Sequence, residues 1–512
     1  KIREVAYAVL SEARRTFLHR QVGAALAERG APPGELAYHF ARGRDWPRTY
    51  ATALAAADAA IAAHANDEAA AQYGLALEAV SQPGGQVGEA ELAALLEARG
   101  RALLGMSEYA AAIADFVRAA ELARGAGDAH RALAATRHLA LARFWQHEAA
   151  AGPLQLAEAA LAEAHRLDEP SEIAACSATL ASILVTRGRL REGSARAREA
   201  LAAGEAAGDL YLVADAGGTL GMASGWRGEF ARARAELAAS LELASTRRWT
   251  LLVPRALFFS GINAAVMGEY DLALDLLGQC RRYADESGDR IWLARWANTV
   301  GWVHQELYDL ETARRLDSDA VEAARESPWP EPLGNALVNL GLDWVLCGEA
   351  GEAATNFARA EALLGRDETM QWRWETRLWL GRGELALLRA GHEAALGYAA
   401  RALALARTTH SAKNALRARR LQGLAYAAAG RPETALGSLR RAAWLARRLA
   451  TPRLEREVLL ALSAVADRLG RSVEAERYAS AAAAIAARIA AGLCDARLRE
   501  VYLAGLRRSV LI

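Results

Sequence analysis

Gly261-Ile262-Asn263-Ala264-Ala265-Val266-Met267-Gly268-Glu269-Tyr270-Asp271-Leu272-Ala273 sets a small residue, a glycine seven positions on, and an alanine five positions after that. The pattern repeats outward at intervals of 40 residues: Ala181, Gly221, Gly261, Gly301 and Gly341 hold the first position. Gly188, Gly228, Gly268, Tyr308 and Gly348 hold the second, and Gly193, Ala233, Ala273, Ala313 and Ala353 the third. It returns as Gly423, Gly430 and Ala435, as Ser463, Gly470 and Ala475, and earlier as Ala98, Gly105 and Ala110. Two small residues on consecutive helices let an antiparallel pair approach to about 8–10 Å. A glycine between them supplies the left-handed cap that ends the first helix. No stretch alternates with the period of a strand, so the spacing predicts an all-α chain.

The chain has 512 residues, a formal net charge of +1 and 53% hydrophobic residues. Only Lys1 and Lys413 are lysines among 62 basic residues, and neither closes a G-x-x-x-x-G-K-[ST] loop, which excludes a Walker-type nucleotide site in this chain. Cys176, Cys280, Cys347 and Cys494 stand far apart, so neither a disulfide scaffold nor a zinc module is expected. No run of 18 apolar residues suggests a membrane span, and a cytoplasmic location is expected. His130, His138 and His147 are too far apart for the i, i+4 geometry of a metal pair. Neither H-E-x-x-H nor G-x-S-x-G occurs. No cofactor, metal or catalysis is expected.

The small–glycine–alanine positions, as at Gly261, Gly268 and Ala273 with Leu277 following, resemble the tetratricopeptide (TPR) family. The period departs from the family's 34 residues, and Leu257 or Leu337 stands where the family has an early tryptophan. The resemblance implies a right-handed α-solenoid, or superhelix, of about ten or eleven antiparallel helix pairs over residues 31–490. The register stretches near Gln146–Gln155 and near Gly381–Gly391.

A second resemblance lies at the start. Arg3-Glu4-Val5-Ala6-Tyr7, Leu10-Ser11, Arg14-Arg15, Leu18-His19 and Val22 resemble the last helix of a winged-helix module. Glu35-Leu36-Ala37-Tyr38-His39-Phe40, Gly43 to Trp46 and Ala65-Asn66-Asp67-Glu68-Ala69 resemble the repeats that follow it in bacterial STAND regulators, the signal-transduction ATPases with numerous domains. This implies that residues 1–30 close a winged-helix-like module or form a cap. It also implies an ATPase module upstream and a role in transcriptional regulation. Residues 491–512, with Leu498, Val501 and Tyr502 on one face, are expected to cap the array. Residues 411–512 carry 19 basic against 8 acidic residues, but no aromatic-interleaved or helix-turn-helix pattern accompanies them, so nucleic acid is not the expected partner.

Ten of the thirteen tryptophans fall within residues 226–379. Six residues before successive small positions lie Asp215, Arg255, Arg295 and Asn335; three before them lie Gly218, Phe258, Asn298 and Val338; one after Gly301 lies Trp302. In TPR-like arrays these offsets face the groove, as does that of Trp226. The expected site is therefore a concave face holding a protein, a peptide or a small anion through Arg255, Arg295, Asn298, Asn335, Phe258, Trp302, Trp226 and Asp215. Arginine forks suit carboxylates or phosphates. Alternatively, Arg255 and Arg295 pair with acids such as Asp215 and join adjacent helices. The expected function is a ligand- or protein-binding sensor of a signal-transducing regulator. A freestanding scaffold for protein assembly is the alternative.

Overall fold

The computed structural model describes residues 7 and 10–508, except 64, 107, 147–150, 248, 250, 251, 288, 289, 326–329 and 366–368. Arg3 to Ala6 of the opening string, His147 and Trp329 lie outside the described residues. The described residues form 25 helices and no strand. The protein is an all-α helical-repeat solenoid, and its contacts divide it into two units, residues 1–179 and 180–512.

The first unit contains α1 (Glu12–Glu28), α2 (Pro33–Arg42), α3 (Trp46–Ala62), α4 (Asn66–Ser81), α5 (Glu89–Gly105), α6 (Tyr109–Gly125), α7 (Ala129–Trp145) and α8 (Ala151–Leu167). Most of α9 (Pro170–Thr186) also belongs to it. Alanines such as Ala53, Ala57, Ala69 and Ala76 are fully buried between these helices. One expectation shifts here. Gly105 is the last residue of α5, not a left-handed turn, and the close approach falls on Gly100, where a Cβ would sit 2.7 Å from Phe116 Cε1. Counted from Gly100 the grammar is intact, with Ala112 twelve and Phe116 sixteen residues further on, both fully buried.

The second unit contains α10 (Leu190–Ala207), α11 (Leu210–Arg227), α12 (Phe230–Thr246), α13 (Leu252–Val266), α14 (Tyr270–Ser287), α15 (Arg290–Glu306), α16 (Leu310–Ala324), α17 (Pro330–Leu346) and α18 (Ala350–Glu361). It continues with α19 (Gln371–Leu388), α20 (His392–Thr408), α21 (Ala412–Ala428), α22 (Pro432–Arg448), α23 (Pro452–Arg468), α24 (Ser472–Gly492) and α25 (Ala496–Arg508). Here the 40-residue grammar becomes contact. A Cβ on Gly221, Gly261, Gly341 or Gly423 would come within 2.4–2.8 Å of Leu237, Leu277, Phe357 or Leu439, each sixteen residues further along. The turn glycines hold left-handed backbone: Gly228 has φ +90° and ends α11, with the Glu229 amide donating to Ser224 O at 2.9 Å.

At Tyr308 a tyrosine occupies the same left-handed position, φ +61°, a strain of roughly 1–3 kcal/mol. Its ring explains why the position tolerates it. The Tyr308 hydroxyl accepts from Arg456 at 2.9 Å, Arg453 lies 4.5 Å over the ring, and Tyr502 of α25 stacks on it at 6.1 Å.

The second unit winds tightly enough for successive turns to touch. A Cβ on Gly228 would lie 3.3 Å from Ala412 and 2.8 Å from Leu449, and one on Gly268 would lie 2.7 Å from Pro452. The closing helix α25 is capped by Asp495, which accepts from the Leu498 amide at 3.0 Å, and it buries Leu498 and Tyr502. Winding of this kind leaves a narrow lumen lined by the first helices of the pairs.

Candidate functional site

That lumen holds a cavity with about 870 Å³ of empty space, its open mouth included. Helices α11 and α13 contribute a mainly apolar wall: Met222, Trp226, Phe259, Ile262 and Val266. Helices α15, α17, α19 and α21 contribute amides, tryptophans and cations: Asn298 and Trp302, Asn335 and Asn339, Trp372, Arg373 and Arg377, and Lys413, Asn414 and Arg417. Among the described residues no aspartate, glutamate, histidine or cysteine lines it. Arg373 and Arg377 sit one helical turn apart, as do Lys413 and Arg417, so each helix presents two cations on one face.

The cations differ in what satisfies them. Arg417 pairs with Glu306 at 3.2 Å. Arg373 reaches Glu331 only at 3.8 Å and lies 5.1 Å over the Trp226 ring. Arg377 donates to the amide oxygens of Asn335, at 3.3 Å, and Asn339. Burial, with Arg417 and Arg373 nearby, lowers the Arg377 guanidinium to about 9. Lys413 has no hydrogen bond or ion pair to another described residue, and its ammonium lies 5.3 Å over the Trp302 ring. Burial, reinforced by Arg417, holds it well below the ordinary lysine range.

Behind this wall lies a second buried network. Asp317 occupies the position that is Leu237, Leu277, Phe357 or Leu439 in other repeats, and a Cβ on Gly301 would sit 2.7 Å from its Oδ2. It accepts from Asn339 Nδ2 at 2.9 Å, while Asp343 accepts from Gln305 Nε2 at 2.7 Å. Both carboxyls are fully buried, and the Oδ2 of each lacks an N–H donor. Two like charges side by side in one buried site favour holding one proton between them. Burial and the Asp343 charge push Asp317 well above the usual range, and burial lifts Asp343 to about 7.

The residues expected to share one surface separate into two groups. Asn298, Asn335, Trp302 and Trp226 line the cavity. Arg255 instead pairs with Asp215, at 2.7 Å to Oδ1 and 3.0 Å to the backbone oxygen. Arg295, nearly inaccessible, bonds Glu331 at 2.9 Å. Phe258 packs edge-on against Phe259 and Trp292 at 5.3 Å each. These four join adjacent helices and stand outside the cavity wall. The trio Asp215, Gly218 and Arg255 has a local cause, since a Cβ at Gly218 would lie 2.9 Å from the Arg255 guanidinium. Not foreseen were Arg373, Arg377, Lys413 and Arg417, on helices that meet α15 only through the winding. Two signals pointed to them: a lysine in an arginine-dominated chain, and an aspartate at a leucine position.

No family model and no curated sequence matches the chain. Solved structures do resemble it. A Rap protein complexed with competence and sporulation factor aligns over 70% of this chain and 99% of its own, with 14% identity and a TM-score of 0.56. The Rap conjugation regulator of plasmid pLS20, in complex with the Phr* peptide, aligns over 56% and 76%, with 13% identity and a TM-score of 0.47. A STAND protein with a tetratricopeptide-repeat sensor from Pyrococcus horikoshii aligns over 77% and 55%, with 14% identity and a TM-score of 0.36. These are tetratricopeptide-like helical-repeat proteins, and the chain shares that fold. No helix among the described residues is long and apolar enough to cross a membrane, and none of their His, Cys, Asp and Glu side chains group as a metal site.

Proposed function

We propose that this chain is the ligand-sensing part of a bacterial signal-transducing regulator of the STAND type, without catalysis of its own, and that the second unit's cavity is where it reads its ligand. One observation carries the reading. A closed ring of first helices presents four cations, five amides and three tryptophans to a single cavity, with no carboxylate, histidine or thiol among the described lining residues. Such a wall offers a ligand charge, hydrogen bonds and apolar area. The Rap protein of similar fold is complexed with competence and sporulation factor, which supports a binding role for an array of this kind. A ligand that fits one winding of the repeats better than another shifts the population between them, and an attached ATPase module then reads that shift.

The test is a cavity plug. Gly225 is helical and lines the cavity, and a Cβ there meets only Ala233 at 3.7 Å and Asn263 at 3.8 Å, so Gly225→Leu adds bulk at the cavity wall, with circular dichroism and melting temperature to verify that the variant folds. The purified chain is incubated with a randomised pool of short peptides and with a bacterial small-molecule extract, and retained compounds are identified by mass spectrometry. Compounds kept by the parent and lost by Gly225→Leu support the reading. An identical retained set, or no retained compound, refutes it and leaves the freestanding scaffold.

A further inference from the structure

The walls of the cavity are unlike one another, and the charge behind the polar one does not balance. The bonded network includes Arg295, Arg373, Arg377, Arg417, Arg420 and Arg453, with Lys413 beside it. Against these cations stand Glu306, Glu331, Glu384 and Glu457, and the Asp317–Asp343 pair, which burial pushes toward its protonated form. Positive charge remains in excess, and it collects at the lumen, where Lys413 and Arg377 have no carboxylate within ion-pair distance among the described residues. A cation out of water without a counter-charge is unfavourable unless something supplies one.

We infer that the second unit's cavity binds a small amphipathic anion, its carboxylate or phosphate head received by Lys413, Arg417, Arg373 and Arg377 and its apolar body laid against Trp226, Phe259, Ile262 and Val266. The inference rests on the ligand-sensing reading above and narrows it to a chemical class. An extended peptide finds no open groove here. The lumen is crossed by the Arg417–Glu306 bond and by Lys413 over Trp302, and the turn at Gly228 abuts Ala412 and Leu449. An apolar wall facing a cationic one suits a small molecule with one charged end. Lysine rather than arginine at 413 has a chemical consequence, because an ammonium can give up its proton where a guanidinium holds it. The groups that face it are Arg417 on its own helix, Arg373 and Arg377 on α19, and Glu306 and the Trp302 ring on α15. In the empty cavity burial, with the three guanidiniums, favours the neutral amine. An arriving anion reverses that balance, so binding takes up a proton at Lys413.

The experiment uses the whole chain and matched probes: benzoate, indole-3-acetate, octanoate and phenyl phosphate, their neutral amides or alcohols, and inorganic phosphate alone. Calorimetry is run on the parent and on Lys413→Met in two buffers of different ionisation enthalpy, with circular dichroism to verify folding. The expected result is that at least one amphipathic anion binds at least tenfold tighter than its neutral counterpart and than inorganic phosphate. Net proton uptake should accompany binding, and Lys413→Met should lose both the preference and the uptake. The carboxylates and phenyl phosphate, as separate arms, identify the head group. Equal binding of neutral counterparts overturns the inference, as does inorganic phosphate binding as tightly as phenyl phosphate. If no probe binds while peptides are retained in the plug experiment, the anion inference fails and the sensing reading stands. If neither binds, both fail. Should Lys413→Met not fold, the comparison of charged and neutral probes on the parent decides alone.

Discussion

Phe357 lies between two glycines: a Cβ on Gly341 would sit 2.4 Å from its Cε1 and one on Gly381 2.5 Å from its Cζ. The ring is inaccessible to solvent and has no direction in which to yield, because each side already touches a helix backbone. Replacing Gly341 by alanine therefore combines two opposed effects. Removing a helix-interior glycine gains about 1 kcal/mol. Forcing a methyl against a trapped ring loses roughly 1–3 kcal/mol. Gly437 isolates the first effect, since it lies in α22 with nothing within 4 Å of its added Cβ. Gly437→Ala should stabilise the chain by up to about 1 kcal/mol, and Gly341→Ala should fall below Gly437→Ala by roughly 1–3 kcal/mol. Urea denaturation followed by circular dichroism measures both, with midpoints compared at equal slope. If Gly341→Ala gains as much as Gly437→Ala, close approach does not govern the 40-residue grammar and the packing argument is wrong.

The shared-proton pair gives the second unit a pH dependence of definite sign. Folding raises Asp317 and Asp343 above the unfolded range near 3.9, so their contribution is fully present below about pH 4 and is lost as pH rises through about 7. Asp317→Asn should be less sensitive to pH than the parent between pH 5 and 8, and equal slopes of melting temperature against pH would refute the pairing. Glu331→Gln removes the buried carboxylate that bonds Arg295 at 2.9 Å and lies 3.8 Å from Arg373, and should destabilise by about 3–5 kcal/mol, seen as a lower urea midpoint. A shift under 1 kcal/mol would mean the pair adds little. Gly505→Ala drives a methyl into Tyr308 Cβ, 2.2 Å away, and should free α25. Limited proteolysis should then cleave ahead of Ala496 much faster than in the parent, and unchanged digestion would show that α25 packs otherwise.

The repeat was legible in the sequence because its determinants are local. A small residue, a left-handed turn and a second small residue all act within about fifteen positions, and Gly221, Gly261 and Gly423 each meet a leucine sixteen residues on. Spacing alone also brought Asn298, Asn335, Trp302 and Trp226 to one cavity, since the 40-residue period preserves facing from pair to pair. Arg255 and Arg295 share that period, yet each found an acid on the neighbouring helix first. The cations of α19 and α21 were hidden for a different reason. Lys413 meets Trp302 only because the second unit winds back upon itself, and no spacing within one repeat encodes that contact.

Because the chain has only two lysines, one measurement reaches the cavity directly. Reductive methylation of the folded protein at pH 8, with mass spectrometry of the peptides bearing Lys1 and Lys413, reports the two amines separately. The account predicts that Lys413 is modified through the cavity mouth in the parent, and that a saturating amphipathic anion slows it at least tenfold while Lys1 reacts as before. Lys413 reacting at the same rate with and without the anion, or not at all in the folded parent, would contradict it.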